Sequence, residues 1–249
     1  MPISHNINVI CNGGLFFLNN IPFKVDAVKA AEKLKIPQDS EEYDLILKMA
    51  AEAELKGAPK AVYRIEYING RTEDSVVIGE TTFKSRVLTV NLEKAHRVFL
   101  YVITCGAELE EWSKNYTDPF FSYFADHIKQ SALESAVTFL YDYIKETYGL
   151  KKSARMAPGS LKDWPIEEQK PFFKMMGNVK ETAGVVLTES FLMLPSKSVS
   201  GLLFPTGTAF ESCMLCPREK CTGRRAPYNA KLYGKRYQNS TAVFFDRTV

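Results

Sequence analysis

Residues 187–204 read LTESFLMLPSKSVSGLLF, an apolar stretch broken by Pro195 and by the small polar run Ser198-Val199-Ser200-Gly201. Short apolar runs bounded by turn residues read as strands, so two are expected here, GVVLTESFLMLP over 184–195 and SVSGLLFP over 198–205, joined by a Ser-Lys turn. Small residues within such a stretch let a second backbone or a ligand approach closely. About thirty residues upstream lies ARMAPGSLKDWP, residues 154–165, with Pro158-Gly159 at its centre and Arg155 just before it. A Pro-Gly loop of this kind exposes backbone amides and carbonyls to which a ligand can hydrogen-bond.

Outward from these two segments the period of the apolar residues changes several times. Residues 22–57 repeat at helical spacing in two runs, Val25, Val28, Ala31 and Leu34, then Leu45, Ile46, Met49, Ala50, Ala53 and Leu55, separated by Pro37 and a Gln38-Asp39-Ser40 cap. From Ala61 the pattern is that of strands: AVYRIEYI, VVIGETTF, RVLTVNL and HRVFLYVITCG, with a turn expected at Asn69-Gly70. Residues 107–147 return to helix, with Leu133, Val137, Leu140, Tyr141 and Ile144 on one face and Gly149 as the stop signal. KPFFKMMGNV reads as a short helix ending at Gly177, and AVFFD near the C-terminus as one more strand. These readings give an α+β fold, an antiparallel sheet flanked by helices. A single domain over 1–249 is expected, with residues 1–60 as a helical N-terminal part and 206–249 as a C-terminal part of different character.

The sequence has 32 basic and 29 acidic residues, a net charge of +3, too little surplus for the footprint of a general nucleic-acid binder. Basic residues gather between Lys220 and Arg236, a patch that suits either phosphate or, the favoured reading, a solvated loop. No apolar run approaches the roughly 20 residues that cross a bilayer, and the N-terminus lacks a basic start and an apolar stretch, so no membrane partner is expected and a cytoplasmic address is.

Taken together, Arg155-x-Ala157-Pro158-Gly159 and Leu187-Thr188-Glu189-Ser190-Phe191-x-Met193-x-Pro195-x-x-Ser198-Val199-Ser200-Gly201 resemble the activation domain of cobalamin-dependent methionine synthase in order, spacing and sequence. The likeness spans roughly residues 85–205, and the segments before and after it do not follow that pattern. The resemblance implies an activation-domain-like fold, here as a stand-alone protein, that holds S-adenosylmethionine over the cobalt of a neighbouring corrinoid domain while cobalt(II) is reduced and remethylated. It also implies cofactor contacts from Arg155, Ala157 and the Pro158-Gly159 turn, with Ser160 where the family has a tyrosine, and from the small residues Ser198, Val199, Ser200 and Gly201. A helical glutamate of the family is matched by Glu134, a carboxylate suited to the ligand's amino group or sulfonium.

Five cysteines without an export signal read as thiols or metal ligands rather than a disulfide framework. Cys213, Cys216 and Cys221 lie within nine residues, a spacing that suits an iron–sulfur cluster or zinc, with Cys11 or Cys105 as a fourth ligand and the neighbouring arginines offsetting thiolate charge. An iron–sulfur centre would suit the delivery of a low-potential electron to cobalt, and zinc would hold the loop in shape.

The function these readings favour is S-adenosylmethionine binding in support of reductive methylation of a corrinoid. No DxHxxG corrinoid motif, homocysteine module or folate barrel is visible in the 249 residues, so the corrinoid is expected on a partner protein or domain, with a separate electron donor. The alternative is a metal-binding assembly module that keeps the fold without this chemistry. A Rossmann-type methyltransferase is disfavoured because its glycine-rich turn after a first strand is missing.

Overall fold

The computed structural model describes residues 9–12 and 14–238. Elements run in the order β1 (Val9–Asn12), β2 (Leu15–Leu18), α1 (Ala27–Lys33), α2 (Glu41–Lys56), β3 (Lys60–Arg71), β4 (Ser75–Ile78), β5 (Thr81–Lys84), α3 (Arg86–Asn91), β6 (Arg97–Thr104), α4 (Ala107–Ser113) and α5 (Pro119–Tyr148). They continue with β7 (Ser153–Met156), α6 (Gln169–Met176), α7 (Val179–Ala183), β8 (Val186–Leu187), β9 (Met193–Leu194), β10 (Ser198–Pro205) and α8 (Leu232–Arg236), with 3₁₀ turns at Ile166–Glu168 and Ser212–Met214. The main sheet has the order β1-β2-β3-β6-β10-β7, extended by β4 and β5 beside β3, and the expected mixture of helices and antiparallel strands is what forms.

The chain divides into two compact units, and β3, β6 and β10 contribute residues to both. The first unit comprises residues to Arg64, Leu100–Gly149 and Phe173–Ser200. Here α2 starts where its sequence says it should, the Ser40 hydroxyl accepting the Tyr43 amide, and buries Ile46, Met49, Ala50 and Ala53. The long helix α5 starts on Asp118, which accepts the amides of Phe120 and Phe121, and ends on Gly149 at φ 65. It buries Ile128, Ala132, Leu133, Ala136, Leu140 and Ile144. The same face takes in Lys129, whose ammonium meets Glu110 at 3.3 Å and Asp126 at 3.9 Å.

The second unit comprises Ile65–Phe99, Leu150–Phe172 and the chain from Gly201 onward. Its apolar interior includes Val76, Ile78, Phe83, Val87, Leu88, Trp164, Phe172 and Leu202 through Phe204. The C-terminal segment is sewn into it by Tyr237, which is 1% exposed and donates its hydroxyl to Asn91 Oδ1 at 3.1 Å. Arg86 Nε in turn donates to the Tyr237 carbonyl at 3.2 Å.

Four local expectations are corrected. RVLTVNL is the helix α3, because Ser85 caps it by accepting the Leu88 amide at 3.0 Å and Asp163 accepts the Val87 amide at 2.9 Å. The helix expected over 107–147 is two helices, divided where Asp118 and Pro119 start a new one. The strand expected over 184–195 is the two-residue strands β8 and β9, because Thr188 Oγ1 accepts the Leu192 amide at 3.0 Å and folds the chain back between them. Asn69-Gly70 is no turn: β3 continues to Arg71 through an irregularity between Ile68 and Gly70, and the Asn69 amide group donates across to the Gly79 carbonyl at 2.8 Å. The strands β1, β2 and β7 were not foreseen; β1 and β2 pair with each other and β2 with β3, so the part expected to be helical also carries sheet, and AVFFD lies outside the described residues.

Candidate functional site

The first sequence block begins on β7, and the second ends on β10. β7 lies antiparallel to β10 with Leu203 opposite Arg155 and Leu202 opposite Met156, so the chain leaves Met156 at the Gly201 end of β10. Arg155 is half-buried and also forms an isolated parallel bridge with Glu211. Beyond Met156, Ala157 is half-buried, Pro158 buried, and Gly159 and Ser160 exposed.

This loop is closed on itself. Gly159 sits at φ 81 and donates its amide to the Trp164 carbonyl at 2.8 Å, while the Ser160 amide donates to the Ala157 carbonyl at 3.1 Å. These two amides, expected to face a ligand, are therefore used inside the turn. Glycine is what the position requires, since a Cβ there would lie 2.5 Å from Ile166 Cδ1 and 3.3 Å from Ile166 Cβ.

The anchors of the loop are residues that the sequence reading treats only as turn formers. Asp163 accepts the Ser85 hydroxyl and the Val87 amide, fastening the loop to the start of α3. Trp164 is fully buried, edge-on to Phe83 with ring centroids 5.7 Å apart, and its indole N–H has no hydrogen-bond partner. The signal for this lay in the sequence as a tryptophan beside an aspartate in a loop, because a side chain that large is seldom left in water when a core is near.

In the second block the Ser198 hydroxyl is buried, donating to the Pro195 carbonyl at 2.7 Å and lying 2.9 Å from Thr104 Oγ1. Val199 is half-buried, and Ser200 and Gly201 are buried. Glu134 is exposed on α5, accepts from Gln130 Nε2 at 3.0 Å, and lines an open pocket of about 560 Å³ with Lys24, Asp26, Ser131, Phe139 and Asp142. Glu134, Ser198, Val199 and Ser200 belong to the first unit, and Arg155 to Ser160 with Gly201 to the second.

The expected metal centre is not gathered: among the described residues no group of three Cys, His, Asp or Glu side chains is placed to hold an ion. A guanidinium organises the loop instead. Arg224 donates to the carbonyls of Cys213 at 3.1 Å, Cys216 at 3.3 Å and Ala226 at 3.3 Å, and to that of Arg218. Cys221 is exposed. Cys105 is buried in the first unit, where burial above all pushes its thiol up to about 12, and the side chain of Cys11 lies outside the described residues.

Residues 139–211 match the family described as vitamin B12 dependent methionine synthase, activation domain. That segment contains Arg155, the Pro158-Gly159 loop and β10, whereas Glu134 and the three clustered cysteines fall outside it. No curated protein matches the sequence. Among solved structures the chain is similar to the crystal structure of the MetH reactivation domain bound to AdoHcy, with a TM-score of 0.54 and 19% identity over 76% of this chain and 69% of that one. The fold of this protein is thus that of a reactivation domain. None of its described helices is long and apolar enough to cross a membrane.

Proposed function

We propose that this chain, whose residues 139–211 belong to the vitamin B12 dependent methionine synthase activation domain family, binds S-adenosylmethionine at the loop after β7 and supports reductive methylation of a corrinoid carried by a partner. The observation that supports the reading is the β7–β10 register, in which Arg155 stands opposite Leu203 and Met156, the residue before the Ala157-Pro158-Gly159 loop, opposite Leu202, next in the chain to Gly201. The similar structure holds AdoHcy, the demethylated form of the same compound, which supports a ligand of this class.

The chemistry of the residues present fits such a ligand. Arg155 is half-buried on a strand whose backbone is paired, and a guanidinium suits a carboxylate, because its planar fork makes two parallel charge-assisted hydrogen bonds. The glycine at 159 leaves no side chain over the turn, and Ser160 offers a hydroxyl in place of a ring. When bound, S-adenosylmethionine supplies the methyl group. The work of Arg155 is to hold and orient the amino-acid end, and that of the Asp163 and Trp164 anchors is to keep the loop from rearranging. The corrinoid and the electron donor belong to other molecules in this reading. Glu134 enters it through the family resemblance, and Glu134→Gln tests whether that carboxylate takes part.

Calorimetric titration of the anaerobically purified protein with S-adenosylmethionine tests the proposal. Saturable binding is expected, weakened about tenfold or more by Arg155→Ala, equivalent to about 1.4 kcal/mol or more. Wild-type protein that is folded and shows no binding would overturn it.

A further inference from the structure

We infer that Cys213 and Cys216 form a reversible dithiol–disulfide pair, a redox site in the C-terminal loop that the corrinoid chemistry above does not use. The two thiols are separated by Met214 and Leu215. Three successive hydrogen bonds of the same kind run through them: Met214 amide to Glu211 carbonyl at 2.9 Å, Leu215 to Ser212 at 3.0 Å, and Cys216 to Cys213 at 3.3 Å. The 3₁₀ turn spans Ser212–Met214 and its hydrogen-bond pattern continues to Cys216; in such a pattern residues three apart are separated by a rise of about 6 Å. That separation falls within the roughly 4.4–6.8 Å between Cα atoms that a disulfide spans.

The turn is held in place from outside. Arg224 binds the carbonyls of both Cys213 and Cys216, the Asn229 amide donates to the Met214 carbonyl at 2.9 Å, and the Arg225 amide donates to Cys213 Sγ at 3.5 Å. The last contact fixes where one sulfur sits. Both thiols are half-buried and so partly open to a disulfide in solution, whereas Cys105 is fully buried. Among the described residues no third ligand group is gathered with them, which favours pairing of the two sulfurs over capture of an ion.

The partner is a thiol–disulfide couple. One cysteine, as thiolate, attacks a sulfur of the partner disulfide and releases one thiol, leaving a mixed disulfide on the protein. The second cysteine attacks that bond and releases the other thiol. Two protein thiols become one disulfide, the partner disulfide is reduced to two thiols, and the two protons leave with them; a dithiol reverses the step.

The test equilibrates the full-length protein in glutathione buffers of graded composition, followed by acid quench, alkylation and mass spectrometry of tryptic peptides. No lysine or arginine separates Cys213 from Cys216, whereas Arg218 and Lys220 separate both from Cys221. The expected result is a single two-electron transition in which the 213–216 peptide loses both alkyl groups and carries no glutathione, with Cys105 unmodified throughout. Cys213→Ser and Cys216→Ser should each abolish the transition and trap glutathione on the remaining thiol. Separate glutathionylation of both thiols in the wild type, pairing of either with Cys221, or stoichiometric zinc or iron that shields both would overturn the inference. The wild-type map decides the matter whether or not either variant folds.

Discussion

Asp163 accepts the Val87 amide at 2.9 Å and the Ser85 hydroxyl with the same carboxylate oxygen, so one side chain both caps α3 and fastens the loop that follows Pro158-Gly159. The two partners lie 76 and 78 positions away in the chain. Removing the carboxylate with Asp163→Ala strips the cap and leaves a buried hydroxyl without its acceptor, a cost of about 1–3 kcal/mol. Asp163→Asn keeps an acceptor and should cost less. Urea unfolding gives the stabilities, and S-adenosylmethionine affinity, measured where all variants are folded, should fall in the same order.

Gly159→Ala should be destabilising by about 1–3 kcal/mol, because the positive φ is strained for any residue with a Cβ and that Cβ would press on Ile166. Adding Ile166→Ala removes the collision and leaves the backbone strain. The double variant should therefore recover only part of the loss that Gly159→Ala shows in unfolding experiments, after allowing for the cost of Ile166→Ala alone.

Burial raises the carboxyl of Glu168, the residue just before α6, above the usual carboxylate range. The folded state then holds this proton to higher pH than the unfolded chain, so the side chain's contribution is intact below the ordinary carboxylate range and is lost as pH rises through the raised value. Glu168→Gln should accordingly increase stability at neutral pH, with the gain vanishing in acid. Melting temperatures of both proteins across pH 3–8 would show the two curves converging at the acid end; parallel curves would contradict the assignment.

Lys129 presents a different electrostatic case, with a side chain only 9% exposed between Glu110 and Asp126. Truncating one partner, Glu110→Ala, should cost about 2 kcal/mol, less than the 3–5 kcal/mol of a fully orphaned buried charge because Asp126 remains. Replacing the cation itself by Lys129→Met should be nearly neutral or stabilising. Chemical denaturation of the two variants distinguishes this balance from one in which the ion pair dominates.

Much of the fold was legible. Ser40, Gly149 and the apolar spacing of α5 marked two helices, and SVSGLLFP became β10 with the bounds its residues imply. The division between α4 and α5 was also written in the chain, since Asp118-Pro119 is a helix start, but the long apolar periodicity on either side concealed it. The RVLTVNL segment shows the other kind of failure. Its branched residues suit a strand, and it is a helix because Ser85 and Asp163 supply acceptors for its first amides. In the cysteine loop the spacing of three thiols suggested a metal, whereas a guanidinium threaded among the carbonyls holds that chain.

By itself the sequence determined the residue types and periods: where the apolar spacing of α2 and α5 runs, that SVSGLLFP is apolar enough to be a buried strand, and that Arg155, Pro158-Gly159 and Ser198 to Gly201 belong to one recognisable pattern. Those properties are local, set by side-chain chemistry within a few residues. The tertiary structure alone decided that Leu203 stands opposite Arg155, that Asp163 serves a helix begun 77 residues earlier, and that Arg224 orders the turn carrying Cys213 and Cys216. Each of these is a hydrogen bond or a register between residues beyond the reach of local periodicity, from eight positions apart to nearly eighty, and such a partner exists only once the backbone has brought it within about 3 Å.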